Sequence, residues 1–145
     1  MLLIKDLSAR LPYAVTIEHT SGFRGTLHDI VIHHKYDDND DVYDAICYTN
    51  FFGDEDSIYI ECFKPYLFPL SSMTEEQKSY LYFNTKFELD RFGDLTVQID
   101  EDGNYFYTDA SDCTSLIDWL NKNHFDYRGL IPKGLAIDAT GLNIY

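Results

Sequence analysis

Basic residues are scarce in this chain. Eleven Lys and Arg stand against 25 Asp and Glu, a formal net charge of −14 over 145 residues. Binding to nucleic-acid phosphates rests on a basic footprint, so direct contact with DNA or RNA is not expected. Cysteine is scarce too: Cys47, Cys62 and Cys113 make neither a CxxC pair nor an even disulfide framework. The N-terminus lacks the basic start and apolar core of a signal peptide, and together these features point to a reducing cytoplasm. No stretch approaches the roughly eighteen apolar residues that a membrane-spanning helix requires, so no membrane is expected. A glycine-rich phosphate loop, a GxSxG elbow and a paired-acid motif are all missing, which makes an enzyme the minority reading and implies no cofactor.

What is present is a folding sequence. Hydrophobic residues make up 45% and aromatics 16%, with 12 Tyr and 10 Phe. A chain of this length buries about 70% of its unfolded surface, so residues 1–145 are expected to form one domain. Tyrosine keeps a hydroxyl that seeks water or a partner, so some of these rings are expected to line a surface. The acidity serves solubility or attraction to a basic partner.

Along the chain, Leu3, Leu7 and Leu11, with Ile4, mark one side of a short helix over Leu2 to Arg10, which must end by Pro12. Tyr13, Val15 and Ile17 alternate as in a half-buried strand, and Ser21-Gly22 turns it into a second strand from Gly25 to His34. The acidic run Asp37 to Asp41 reads as a solvated loop, followed by strands from Val42 to Phe51 and from Ser57 to Phe63. This antiparallel meander is able to curl into an SH3-like small barrel. Pro65 and Pro69 then break the chain. Thr74 with Gln77 forms a capping box that opens a helix to about Phe83. Leu95, Val97 and Ile99 alternate as a strand, Asp102-Gly103 is a hairpin turn, and Asn104 to Thr108 returns. A closing helix, capped at Ser111 or Asp112, carries an apolar face of Leu116, Ile117, Trp119 and Leu120, extending to His124, and ends near Asn123. Phe125, Tyr127, Leu130, Ile131 and Leu135 are too apolar for a free tail and are expected to lie back across the body. The fold class is α+β: residues 1–70 give the helix plus meander, and residues 71–145 give helix, hairpin, helix and packed tail.

Several clusters bear on chemistry. Asp37-x-Asn39-x-Asp41 and Asp100-x-Asp102-x-Asn104 copy the first ligand positions of a calcium loop but lack its glycine and its closing Glu, and solvated turns are the favoured reading. His19, His28, His33 and His34 lie on neighbouring strands, yet adjacent strand residues face opposite ways, and no zinc-site spacing supports them. Cys113 and His124 are about three helical turns apart, roughly 16 Å, too far for a nucleophile and its base, so Asp126 completes no triad there. Pairing of His124 with Cys47 or Cys62 stays open. The remaining candidates are partner-binding: Asp126, Tyr127 and Arg128 just after the closing helix, and the acidic residues Asp37, Asp38, Asp40 and Asp41. The first cluster serves either as a local ion pair that locks the tail or as a recognition surface.

Three segments, KDLSARLPYAV (5–15), KPYLFPLSSMTEEQK (64–78) and DWLNKNHFDYRGLIPKGLAID (118–138), resemble a recurrent group of small uncharacterised proteins from gut Bacteroidetes bacteria and their phages and prophages. The resemblance covers about a third of the chain and implies a source, a mobile-element or phage protein acting inside a bacterial cell. It carries over no catalytic residue. The expectation is a non-catalytic interaction protein, in its sharper form an acidic inhibitor of a basic nucleic-acid-binding host protein. The alternatives are a small metal- or histidine-dependent enzyme and a virion or assembly component.

Overall fold

The structure is a computed structural model that describes residues 2–37, 40–49 and 56–145, with side chains at 2–31 and 59–145. In chain order its elements are α1 (Leu2–Arg10), β1 (Thr16–His19), β2 (Arg24–Asp37), β3 (Asp40–Thr49), β4 (Asp56–Tyr59), β5 (Phe63–Leu67), α2 (Glu75–Asn84), β6 (Phe87–Leu89), β7 (Leu95–Val97), α3 (Ala110–Lys122) and β8 (Ile137–Asp138). The α+β class is as expected. The chain divides into two compact units, one made of residues 1–67 with 130–145 and the other of residues 68–129. None of the helices among the described residues is long and apolar enough to cross a membrane.

In the first unit α1 gives way, ahead of Pro12, to a 3-10 turn over Leu11–Tyr13, and Ala14 at φ 52° redirects the chain into β1. The first strand therefore starts later than Tyr13, though Val15 and Ile17 keep the inward positions that their alternation requires. The sheet order is β4-β3-β2-β1-β5-β8, antiparallel except for the parallel pair β5 and β8. Strand β2 is shared: Arg24 to Thr26 pair with β1, and Leu27 to Asp37 pair with β3 across a register shift between Leu27 and Asp29. Such an irregularity bends a strand and lets one ribbon serve two ladders. The sheet is open and does not close as an SH3-like barrel. β8 occupies the outer side of β5, the side that closure against β4 needs.

Two local readings are corrected in this unit. The acidic run is not a plain loop, since backbone pairing of β2 with β3 continues through Tyr36↔Asp41 to Asp37↔Asp40. The β-forming stretches on either side carry the ladder into the charged residues. Pro65 does not break the chain but lies within β5 opposite Ile17, a position that does not call on the missing N–H. The core joins Leu7, Val15, Ile17, Leu27, Phe63, Leu67 and Leu130, with Ile131 and Leu135 packed on it. The returning segment is thus part of this core, as its apolar content required. Beside it lies a fully buried ion pair one helical turn long: Arg10 Nε donates to Asp6 Oδ2 at 2.6 Å and Nη2 to Oδ1 at 3.1 Å, with both side chains at 0% exposure.

In the second unit both helices carry capping boxes. Thr74 and Gln77 cap α2 as expected, with Gln77 N–H donating to Thr74 Oγ1 and Thr74 N–H to Gln77 Oε1. Asp109 and Asp112 cap α3, so this helix starts ahead of the Ser111 or Asp112 cap expected for it. It ends near Asn123 as expected: His124 takes a left-handed conformation, φ 57°, its N–H reaching Asn121 O and that of Phe125 reaching Leu120 O. These are the two bonds of a Schellman motif with histidine in the usual glycine place. Leu116 and Leu120 face inward, while Ile117 is exposed. Core residues Met73, Leu81, Phe87, Leu116, Leu120 and Phe125 meet a stack of rings in which Tyr80 lies on Trp119 (5.4 Å, 11°) and Trp119 on Phe125 (5.7 Å, 29°). Gln98, 8% exposed, ties the end of α2 to the antiparallel ribbon that starts with β6 and β7, its Nε2 donating to Tyr82 O, Thr85 O and Phe87 O at 2.7, 3.2 and 3.1 Å.

The ribbon contains one turn used twice. Asp90 Oδ1 accepts from Phe92 N–H and Asp94 N–H, and Gly93 N–H reaches Asp90 O. Asp100 Oδ1 accepts from Asp102 N–H and Asn104 N–H, and Gly103 N–H reaches Asp100 O. Gly93 and Gly103 sit at φ 84° and 83°, where a side chain is strained. The Asp100-x-Asp102-x-Asn104 spacing is thus that of an Asx turn, the carboxylate being committed to backbone N–H groups.

Candidate interaction surface

The two units present different chemistry. On the first, cross-strand register places Glu18 between Arg24 on β2 and Lys64 on β5. Arg24 Nε donates to Glu18 Oε2 at 3.0 Å, Tyr66 donates its hydroxyl to the same oxygen, and the Arg24 guanidinium lies 5.0 Å from the centre of the Tyr66 ring. The Tyr66 hydroxyl, helped by Arg24, holds the Glu18 carboxyl below the usual carboxylate range. Burial, and then the bond to Glu18, push Tyr66 up. A shallow cavity of about 350 Å³ opens beside Glu18, with His19, Glu61, Lys64 and Ile137 on its wall. The His19 ring meets Ser21 Oγ at 2.6 Å.

Behind this cluster Tyr145 inserts its hydroxyl between β1 and β5, accepting from Thr16 N–H at 3.2 Å and donating to Tyr66 O at 2.7 Å. Burial pushes this phenol up to about 12. A raised folded-state value keeps the neutral form in the folded protein, so its contribution is complete below the unfolded value near 10 and is lost as pH rises towards 12. Tyr145→Phe leaves Thr16 N–H and Tyr66 O without this link and is expected to lower stability by about 1–2 kcal/mol in urea titration, while flattening the loss between about pH 10 and 12. Glu18 has the opposite sign. Its lowered value adds stability above the ordinary carboxylate range that disappears as pH falls through the folded value. Glu18→Gln is therefore expected to reduce the acid-side slope of stability against pH, read by thermal melts across the acid range.

The second unit carries twelve carboxylates against five basic side chains, a net charge of −7. Its exposed surface is also aromatic, through Tyr82, Phe83, Phe92, Tyr105, Phe106 and Tyr107. Tyr82 and Phe83 meet edge to face at 5.1 Å and, with Lys78, Ser79, Glu88 and Leu89, line a groove of about 290 Å³ between α2 and β6. Lys78 is drawn to Glu75 at 2.8 Å, and Lys86 to Asp112 at 2.8 Å, so at least two of the five cations are already engaged with carboxylates. The Lys86 ion pair holds the lysine up and the Asp112 carboxyl down. Exposed rings set among carboxylates suit a basic partner, because Tyr and Phe offer area and π-faces where Asp and Glu supply the field.

No protein-family model, curated protein or solved structure matches this chain.

The residues singled out in the sequence are placed as follows. Asp126 is buried, its N–H bonded to Phe68 O at 2.7 Å; Tyr127 packs on the second unit's core; and the Arg128 guanidinium lies 5.2 Å from the Tyr127 ring centre. Asp37, Asp40 and Asp41 are brought together at the β2–β3 end by backbone register, while Asp38, like Asn39, lies outside the described residues. Cys113 is exposed near the start of α3 and His124 is buried past its end. His28 lies exposed in β2 at the register shift, and the side chains of His33, His34 and Cys47 lie outside the described residues. Sequence reasoning passed over Glu18, Arg24, Tyr66 and Tyr145, which no local pattern joins. It also passed over β6, although Asp90-x-x-Gly93 repeats the Asp100-x-x-Gly103 turn signal.

Proposed function

We propose that the protein is a non-catalytic interaction protein of phage or mobile-element origin that acts inside a bacterial cell on a basic protein. Its sharper form is an acidic inhibitor that covers the nucleic-acid-binding face of a host protein. The observation that carries this reading is the concentration of exposed aromatic rings on a unit of net charge −7. Aromatic side chains are the usual anchors of protein interfaces, and a one-signed field speeds encounter with a partner of opposite sign. The resemblance to phage and prophage proteins supports the setting. Affinity capture from a Bacteroidetes lysate, at low and at moderate salt, tests it. The expected result is a basic nucleic-acid-binding protein retained at low salt, displaced by added DNA and weakened as salt shortens the screening length to about 8 Å. Retention only of non-basic proteins with no salt dependence overturns the inhibitor form, and turnover in a broad screen of nucleotides, peptides and nucleic acids overturns the non-catalytic one.

A further inference from the structure

The strand expected over Asn104 to Thr108 is reduced to a single antiparallel bridge at Tyr105, and the outer backbone side of that residue is an open edge. Ile99 bridges Tyr105 in antiparallel fashion, flanked by bonds from Asp100 N–H to Asn104 O (2.8 Å) and from Phe106 N–H to Gln98 O (3.0 Å). In antiparallel pairing, backbone groups alternate between facing the partner and facing away. Those of Asn104 and Phe106 face inward, so the N–H and C=O of Tyr105 face outward. The side chains are equally open: Tyr105 is 69% exposed, Phe106 45% and Tyr107 82%. A strand that served only as the rim of a core would bury every second ring. Natural edges are normally blunted by lysine or proline, and Asn-Tyr-Phe-Tyr-Thr has neither, while its aromatic residues favour extended pairing.

Charge selects the occupant. Asp100, Glu101 and Asp102 precede the edge and Asp109 follows it. A second copy pairing antiparallel would set these carboxylates against their counterparts and join two chains of −14 each. We propose that this edge takes an extended, basic segment of a partner protein by strand addition, with arginine or lysine side chains over Tyr105, Phe106 and Tyr107 and opposite the flanking carboxylates. The proposal rests on the interaction reading above and names the site and backbone form of the partner.

The test is fluorescence-anisotropy titration of the full chain with a labelled peptide that alternates arginine and valine. Beside it run the same peptide N-methylated at alternate amides, and an alternating glutamate and valine peptide. Tyr105→Pro removes the outward N–H without touching the inward bonds of Asn104 and Phe106, and Tyr107→Ala removes a ring but no backbone group; near-ultraviolet circular dichroism and Trp119 fluorescence confirm that each variant stays folded. Saturable binding of the basic peptide is expected, weakened about tenfold by Tyr105→Pro and by N-methylation, and absent for the acidic peptide. Equal binding of the N-methylated peptide overturns strand addition while leaving a basic partner in place. So does lysate capture of a basic protein that survives Tyr105→Pro unchanged. Dimerisation in sedimentation that Tyr105→Pro abolishes makes the occupant a second copy and overturns the basic-segment proposal. Failure of both peptide binding and salt-sensitive capture removes the interaction reading itself.

Discussion

Replacing Asp6 with alanine is expected to cost about 3–5 kcal/mol, measured by urea denaturation followed in the far ultraviolet. Asp6 and Arg10 are fully buried and bonded through two parallel contacts one helical turn apart. Deleting the carboxylate leaves a buried guanidinium inside the first unit without the Asp6 charge, and the Asp6 contribution that offset its desolvation is lost. The double replacement Asp6→Leu with Arg10→Met is expected to recover much of the loss, because apolar side chains of similar volume need no counter-charge there. If the single variant loses less than about 1 kcal/mol, water reaches Arg10 and the pair is not the internal brace its burial describes.

The second large effect is expected at Gln98. Its amide is shared among three carbonyl oxygens at the junction of α2 with the ribbon, so Gln98→Leu takes a donor from all three at once. A loss of about 2–3 kcal/mol is expected, fewer than three full penalties because two amide hydrogens serve three acceptors and Thr85 also donates to Phe87 O. Trp119 fluorescence is the natural probe, since this tryptophan stacks in the same unit. A loss below about 1 kcal/mol would show that the carbonyls find other donors when the amide is removed.

How much of this was legible beforehand follows from where the information sits. The end of α1 is written in Pro12, and the start of α2 in Thr74 and Gln77, because those residues act on their own neighbours. Asp102-Gly103 marks its turn for the same reason. β5 was hidden because Pro65 signals a break unless the partner strand is known to leave its nitrogen alone. β6 was hidden because three residues are too few to show a period. The Glu18–Tyr66 contact spans 48 positions and the Thr16–Tyr145 contact 129, and no local periodicity encodes such pairings. Tyrosine content announced an aromatic surface, but which rings form it depends on α2 burying Leu81 alone and on the edge beyond Ile99.

The first unit is interrupted: its strands β5 and β8 pair as parallel neighbours, Tyr66 with Ile137, although all of residues 68–129 lie between them. A ribosome releases the chain N-terminus first, so β1 to β5 emerge without the strand that covers β5 and without Leu130 for their core. The stretch 68–129 has no such debt to later sequence and can complete its own core as soon as it is clear of the exit tunnel. Of the two units, the one whose first residues emerge earlier is therefore the one completed later.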